Sequence, residues 1–203
     1  MLKPVRIALA ALITVAAASA CQSKAPAPAQ VAPGQATAVF AGGCFWCTES
    51  DFDHIPGVIS TVSGFAGGKG ARVSYEQVSA GGTGNLESVR VTYDPRRISY
   101  PNLVTRFLRT VDAVDDGGQF CDRGSQYRSA IFVATPAERR AAEAAIRNAS
   151  ALLKQRVVTQ VLPASAFWPA EAYHQDYYRK NPVRYKFYRW NCGRDQRLKQ
   201  LWH

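Results

Sequence analysis

Thr37-Ala38-Val39-Phe40-Ala41, followed by Gly42-Gly43 and then Cys44-Phe45-Trp46-Cys47, is the stretch on which the reading of this chain turns. The first five residues read as a strand and the glycine-preceded run after them as a turn into a helix, so Cys44 falls at a strand-to-helix junction. There the first free N–H groups of the helix favour a thiolate, the reactive form of cysteine. Phe45 and Trp46 supply an apolar wall for a small uncharged group. Cys47, three residues on, is spaced for a disulfide across one helical turn. The combination predicts redox chemistry on a compact, partly apolar substrate.

Outward from this junction, strand-like and helical runs alternate. Residues 58–65 are β-branched and lead to Gly67-Gly68. Residues 87–93 alternate, with Val89, Val91 and Tyr93 on one side, and close on Asp94-Pro95. Residues 98–111 carry helical spacing at Leu103, Phe107, Leu108 and Val111. Residues 130–134 read as a buried strand, and Thr135-Pro136 with Glu138 caps a helix reaching Lys154. A strand is expected over 157–162, and a helix over 171–180 stopped by Asn181-Pro182. Strands mixed with helices and joined by glycine-rich connections at 64–70, 81–84 and 112–124 predict one α+β domain whose loops carry the site.

The chain has 203 residues, 47% hydrophobic and 20% charged, ordinary values for a globular protein with a substantial core. The net charge of +10 is scattered, with one concentration over 179–197 and no nucleic-acid motif beside it. A solvated basic face or a preference for anionic membranes is therefore expected, and no nucleic-acid partner. Residues 1–20 read as an export signal: Lys3 and Arg6, a short apolar run from Ile7 to Val15, and Ala18-Ser19-Ala20 before Cys21. Cys21 is also a candidate lipidation site, although Ala18 stands where leucine is usual. Residues 22–36, with Pro26, Pro28 and Pro33, read as a Pro/Ala-rich tether to a domain over 37–203. The expected location is the bacterial periplasm, with membrane attachment through Cys21. Four thiols remain: Cys44, Cys47, Cys121 and Cys192. Export makes structural disulfides a live alternative, and spacing alone does not choose among the three pairings.

Several motifs match one family in order: residues 43–48, Ser63 to Gly68, Tyr75-Glu76-Gln77-Val78, Glu87 after Gly84-Asn85-Leu86, Tyr93-Asp94-Pro95, residues 119–130, 173–177 and 191–198. Together they resemble an A-type peptide-methionine sulfoxide reductase over about residues 37 to 203. The expected architecture is a two-layer α/β sandwich with a mixed sheet, long loops and an irregular C-terminal segment. The resemblance implies reduction of the S epimer of free and peptide-bound methionine sulfoxide, for repair of oxidised proteins. Cys44 is then the nucleophile that becomes a sulfenic acid, and Phe45 and Trp46 hold the substrate methyl group. Glu87 is the acid, raised by burial, that protonates the departing oxygen. Tyr75 and Tyr127 are phenols that hydrogen-bond that oxygen, and Asp122 organises the pocket edge. Cys192, Cys47 and Cys121 are candidate resolving thiols, with the final disulfide exposed to a thioredoxin-like reductant. No cofactor and no metal is implied, and a monomer is expected.

The chain departs from the family pattern at Asn85, Leu86 and Phe65, where His, Ala and Tyr are usual, and at Val111-Asp112-Ala113-Val114, where His-Asp-Pro-Thr is typical. Asn85 cannot titrate near neutrality. His54, His174 and His203 give no metal spacing, and His174 reads as structural. Two other classes compete. Cys44-Phe45-Trp46-Cys47 would serve a general thiol–disulfide oxidoreductase, but Trp46 lies between the cysteines and no cis-Pro loop is evident. A non-enzymatic exported domain held by structural disulfides would show no reactive thiol in its native state.

Overall fold

A computed structural model describes residues 31–70 and 72–202. Residues 1–20, read from sequence as an export signal, Cys21, the expected tether as far as residue 30, and His203 lie outside the described residues. The alternation at the start of the domain places β1 (Ala36–Gly42) at the centre of a six-stranded sheet. It pairs antiparallel with β3 (Leu86–Tyr93) on one side and β6 (Ser129–Val133) on the other. Beyond β3 lie β2 (Val58–Ala66) and β8 (Phe167–Pro169), both in antiparallel pairs, and beyond β6 lies β7 (Gln160–Pro163). The β6–β7 pair is parallel, so the sheet is mixed. A parallel neighbour needs a crossover, and α4 (Pro136–Leu153) provides it. Its start is the one read from sequence, a Thr135–Glu138 capping box with Pro136 in the first position.

One face of the sheet carries the helices. Phe40 of β1, Phe52 of α1 (Phe45–Asp53) and Phe107 of α3 (Tyr100–Leu108) meet there. Ring centroids are 4.9 Å apart for Phe40–Phe52 and for Phe40–Phe107, and all three rings are buried. Val89, Val91 and Tyr93 join this core, as their alternation predicts. The opposite face holds a smaller cluster around Ala41, Phe132 and Phe167. The site is thus fixed to the packed layer. Two short pieces complete the frame: α2 (Tyr75–Ser79), capped by Ser74 and Gln77, and a hairpin of β4 (Gly118–Gln119) with β5 (Asp122–Arg123). Among the described residues no helix is long and apolar enough to cross a membrane.

The structure differs from the sequence expectations in three places. The strand expected over 157–162 begins only at Gln160, because the Val157 N–H goes to Ser150 Oγ and the Val158 N–H to Ala113. The helix expected over 171–180 is reduced to α5 (Tyr177–Lys180), because Asp176 sits at φ 52°. The C-terminal segment is not irregular but forms α6 (Pro182–Asn191) and α7 (Arg194–Leu201). Pro182 stops one helix and opens the next, since its missing N–H costs nothing at a first helical position.

The phenylalanine triad predicts that Phe52→Ala lowers unfolding free energy by about 3–5 kcal/mol. Urea denaturation read by far-UV circular dichroism checks this; a loss below about 1 kcal/mol would show that the triad does not fasten α1.

Candidate active site

Gly43 makes the turn into α1 at φ 79°, and a Cβ there would lie 2.5 Å from Cβ of Gln119. Gln119 cannot withdraw. It is fully buried, and its amide clasps both the N–H and the carbonyl of Asp112 at 2.8 and 2.9 Å. Cys44 is the N-cap residue of α1; its carbonyl accepts the N–H groups of Cys47 and Thr48. The Phe45 N–H, unpaired within the helix, donates to Glu87 Oε2 at 3.0 Å. Glu87 lies opposite Phe65 in the β2–β3 register, on the core-facing side with Val89 and Val91. That parity buries its carboxyl.

Burial therefore dominates the electrostatics here. It pushes the Glu87 carboxyl up to about 8, against the opposing Phe45 hydrogen bond, with the Asp122 charge adding to the rise. At neutral pH Glu87 is protonated. Tyr75, first residue of α2, is raised to about 12, and Tyr127, in the 3-10 turn Ser125–Tyr127, is raised further, both chiefly by burial. Both stay neutral O–H donors. Asp122 on β5 is raised by burial and accepts the Tyr188 hydroxyl. Cys44, Phe45, Trp46, Tyr75, Glu87, Asp122, Tyr127 and Tyr188 line one pocket of about 80 Å3, enough for a few heavy atoms but not for an extended ligand. All seven catalytic and methyl-binding candidates named from sequence converge there. Tyr188 was not foreseen.

Trp46 is held from two sides. Its Nε1–H donates to His174 Nδ1 at 3.0 Å, and its ring stacks on Tyr177 at a centroid distance of 3.7 Å. Burial lowers the His174 pKa, which keeps the ring in the neutral form able to accept. Behind Tyr177, the buried Glu49 carboxylate accepts the Asp176 N–H at 3.1 Å. Burial raises Glu49 to about 7. His174 and Tyr177, with Glu49 behind them, thus support the Trp46 wall of the pocket. The departures from the family pattern also find places: Asn85 Oδ1 accepts the Gly68 N–H, and Phe65 packs on Phe45 at 5.8 Å.

The thiols divide into two pairs. Cys44 and Cys47 are free and buried, in side-chain hydrogen-bond contact with each other. Cys121 and Cys192 form a disulfide, with Cα atoms 4.9 Å apart, that ties the β4–β5 turn to the end of α6. Against the thiolate expected from sequence, the structure favours the neutral thiol at Cys44. Burial first, then Cys47, Glu87 and Asp122, push the Cys44 thiol well above its ordinary value and outweigh the helix N-terminus. Cys47 is lowered, first by the Cys44 hydrogen bond and further by Arg194 and Arg189. Arg194 was quoted from sequence only as part of a motif. It is fully buried, bonds the Gly42 and Thr110 carbonyls and Asp51, and lies over Phe120.

A buried thiol pair beneath a small aromatic pocket with a protonated carboxyl defines a thiol-based oxidoreductase site. A family model described as "Peptide methionine sulfoxide reductase" matches residues 36–203. Peptide methionine sulfoxide reductase MsrA 2 of Caulobacter vibrioides is 50% identical over 192 residues, covering 94% of this chain and 97% of that one. The protein of the same name from Rhizobium meliloti is 50% identical over 175 residues, covering 86% and 87%. Among solved structures, methionine sulfoxide reductase A of Corynebacterium diphtheriae is 34% identical, with a TM-score of 0.67 and coverage of 74% and 77%. Reduced Mxr1 from Saccharomyces cerevisiae is 29% identical, with a TM-score of 0.70 and coverage of 76% and 90%. The chain belongs to the peptide methionine sulfoxide reductase family.

Glu49 and Glu87 both have folded pKa values above the usual carboxylate range, so between about pH 4.5 and their folded values the native state binds more protons than the unfolded one. Stability contributed by these groups therefore falls as pH rises through that window. Glu49→Gln and Glu87→Gln should each gain on the wild type by at least about 1 kcal/mol between pH 5 and 8. Urea unfolding across that range checks it; parallel pH profiles for wild type and variants would contradict the assignment.

Proposed function

We propose that this enzyme reduces the S epimer of methionine sulfoxide, free or within oxidised proteins, through a Cys44 sulfenic acid. The observation that carries the reading is the Phe45 N–H hydrogen bond to Glu87, which holds an uncharged carboxyl beside the Cys44 thiol. In a pocket of this size, Phe45 and Trp46 hold the S-methyl group and leave the sulfoxide oxygen to Tyr75 and Tyr127. Glu87 Oε2 is engaged by the Phe45 N–H, so the other oxygen carries the proton donated to the sulfoxide. Cys44 Sγ attacks the sulfoxide sulfur, and its own proton replaces the one Glu87 gives up. Collapse transfers hydroxide to Cys44 and releases methionine, with no net proton consumed. Asp122, hydrogen-bonded by Tyr188, borders the pocket on the side of the substrate backbone.

Cys47 then condenses with the sulfenic acid, releasing water. The contact between the two thiols, and the depressed Cys47 pKa, make it the first resolving thiol. Cys192 and Cys121 act later, and an external thioredoxin-like dithiol closes the cycle. The leader of residues 1–20 and Cys21 support an exported, membrane-anchored protein of the periplasm; metabolic labelling with a fatty-acid analogue, lost in Cys21→Ala, tests the anchor.

The fully reduced protein should release two equivalents of methionine from the S epimer without added reductant, one for each thiol pair, and none from the R epimer. Cys44→Ser should release none; stoichiometric release would remove Cys44 from the nucleophile's role. Glu87→Gln should slow single-turnover release by about 10²–10⁴-fold at pH 7. In the wild type the rate should fall as pH rises through about 8, where the Glu87 proton is lost. Rapid-quench chromatography of methionine across pH reads all of these outcomes.

A further inference from the structure

The β4–β5 turn and the end of α6 bring two soft donors and one anionic donor together at the rim of the pocket. Cys121 is exposed, Asp122 and Cys192 are half-buried, and the two sulfurs and a carboxylate oxygen all lie within 4.8 Å of one another. Among the described residues no other group of three His, Cys, Asp or Glu side chains brings its donor atoms so close. The hairpin that carries Cys121 and Asp122 is closed by the Gly118–Arg123 and Gln119–Asp122 pairs, and Arg194 pins the arm that carries Cys192. The two cysteine Cα atoms are 4.9 Å apart, so both thiols stay within reach of one atom when the bond between them is reduced. A tetrahedral zinc ion holds thiolates at about 2.3 Å, which sets two sulfurs about 3.8 Å apart. Side-chain rotation alone provides that separation. Tyr188 donates to Asp122 Oδ2, which leaves Oδ1 as a third donor. Two thiolates and a carboxylate exceed the charge of a divalent ion by one, and the Arg194 guanidinium, 4.6 Å over the Phe120 ring beside Cys121, offsets it. The inner pair offers no such set, because the carboxyl beside Cys44 is Glu87, which is protonated and bonded to the Phe45 N–H.

We propose that Cys121, Cys192 and Asp122, once the disulfide is reduced, bind a divalent cation of the zinc type, and that the bound ion arrests the enzyme after its inner thiol pair has reacted once. The arrest, though not the binding, rests on the reductase reading of the Cys44 site. Two sulfur donors select zinc-like ions over magnesium or calcium, which prefer oxygen. The site exists only in the dithiol state. An external dithiol first reduces Cys121–Cys192 by two electrons and is itself oxidised to a disulfide. The ion then displaces the two thiol protons to solvent and forms two metal–sulfur bonds, with no further electron transfer. Asp122 supplies the third ligand and water the fourth. In this state Cys44 still attacks a sulfoxide and Cys47 still closes the inner disulfide. Cys192 does not take that disulfide over, because the metal holds its sulfur lone pair. The ion is therefore a regulator of recycling and not a cofactor of the reaction.

The test titrates Cd2+, a spectroscopic substitute for Zn2+, into the full chain after reduction by a trialkylphosphine that is then removed. The ultraviolet thiolate-to-cadmium charge-transfer band should saturate at one equivalent. It should be absent from the form that keeps the Cys121–Cys192 disulfide and from Cys121→Ser, and intact in Cys44→Ser/Cys47→Ser. Binding should be at least about tenfold weaker in Asp122→Asn. A band that survives in Cys121→Ser, vanishes in the double variant, or keeps wild-type affinity in Asp122→Asn overturns the site. Mapping by mass spectrometry after alkylation needs no variant: Cd2+ should shield Cys121 and Cys192 of the reduced wild type from iodoacetamide, and equal labelling with and without the ion also overturns the site. For the arrest, Zn2+ should cut methionine release by the reduced wild type from two equivalents to one. Two equivalents with the ion bound overturn the arrest, and so does loss of both, which would place the effect on the inner pair. No release from the metal-free wild type, with the cadmium results as expected, would instead fall on the reading of the Cys44 site and take the arrest with it, leaving the binding site standing.

Discussion

The hydrogen bond from the Phe45 N–H to Glu87 joins the first turn of α1 to a central strand, and the site depends on it. A carboxyl on the core face of β3 has lost its water, so it must be paired, or protonated, or both. The unpaired N–H at the start of α1 satisfies one oxygen, and burial keeps a proton on the group. The same bond fixes the start of the helix relative to the sheet, and with it Cys44. Glu87 and Cys44 are thus positioned by one contact between two rigid elements rather than by loops.

A second constraint comes from the C-terminal arm. Arg194 is a buried guanidinium that satisfies carbonyls from the β1 turn and from the end of the α3 segment, as well as Asp51 of α1. An unpaired buried charge would be costly, so these partners hold the arm firmly once it is in place. Docking the arm brings Tyr188 against Asp122 and Cys192 against Cys121. The pocket is therefore incomplete without the C-terminal arm, although Cys44 caps α1 and Glu87 lies on β3.

What was legible in the sequence follows from how local each cause is. The Gly43-Cys44 turn and the α4 cap are set by neighbouring residues. Glu87 shares parity with Val89, Val91 and Tyr93, so the alternation that located β3 also says that this carboxyl faces the core. Tyr188, His174 and Arg194 had no such signal. Their partners are 66, 128 and 152 residues away, and none lies on a periodic pattern that points to the site. The 171–180 segment misled because its composition suits a helix, whereas the buried Glu49 binds the Asp176 N–H and the chain there turns left-handed. Which cysteines pair was open for the same reason. Cys121 and Cys192 are 71 residues apart and meet only through the arm.

The division of the four thiols follows from the needs of the chemistry. A nucleophile that accepts oxygen from a methyl sulfoxide must sit where water and bulky thiols are excluded, or its sulfenic acid would be intercepted or over-oxidised. The burial and carboxyls that create this shelter also push the Cys44 thiol well above its ordinary value. Cys121 and Cys192 lie outside that shelter, one exposed on the hairpin that carries Asp122 and the other at the end of the helix that carries Tyr188. The raised Glu87 carboxyl and the raised Cys44 thiol are thus consequences of a single choice, which is to bury the two side by side.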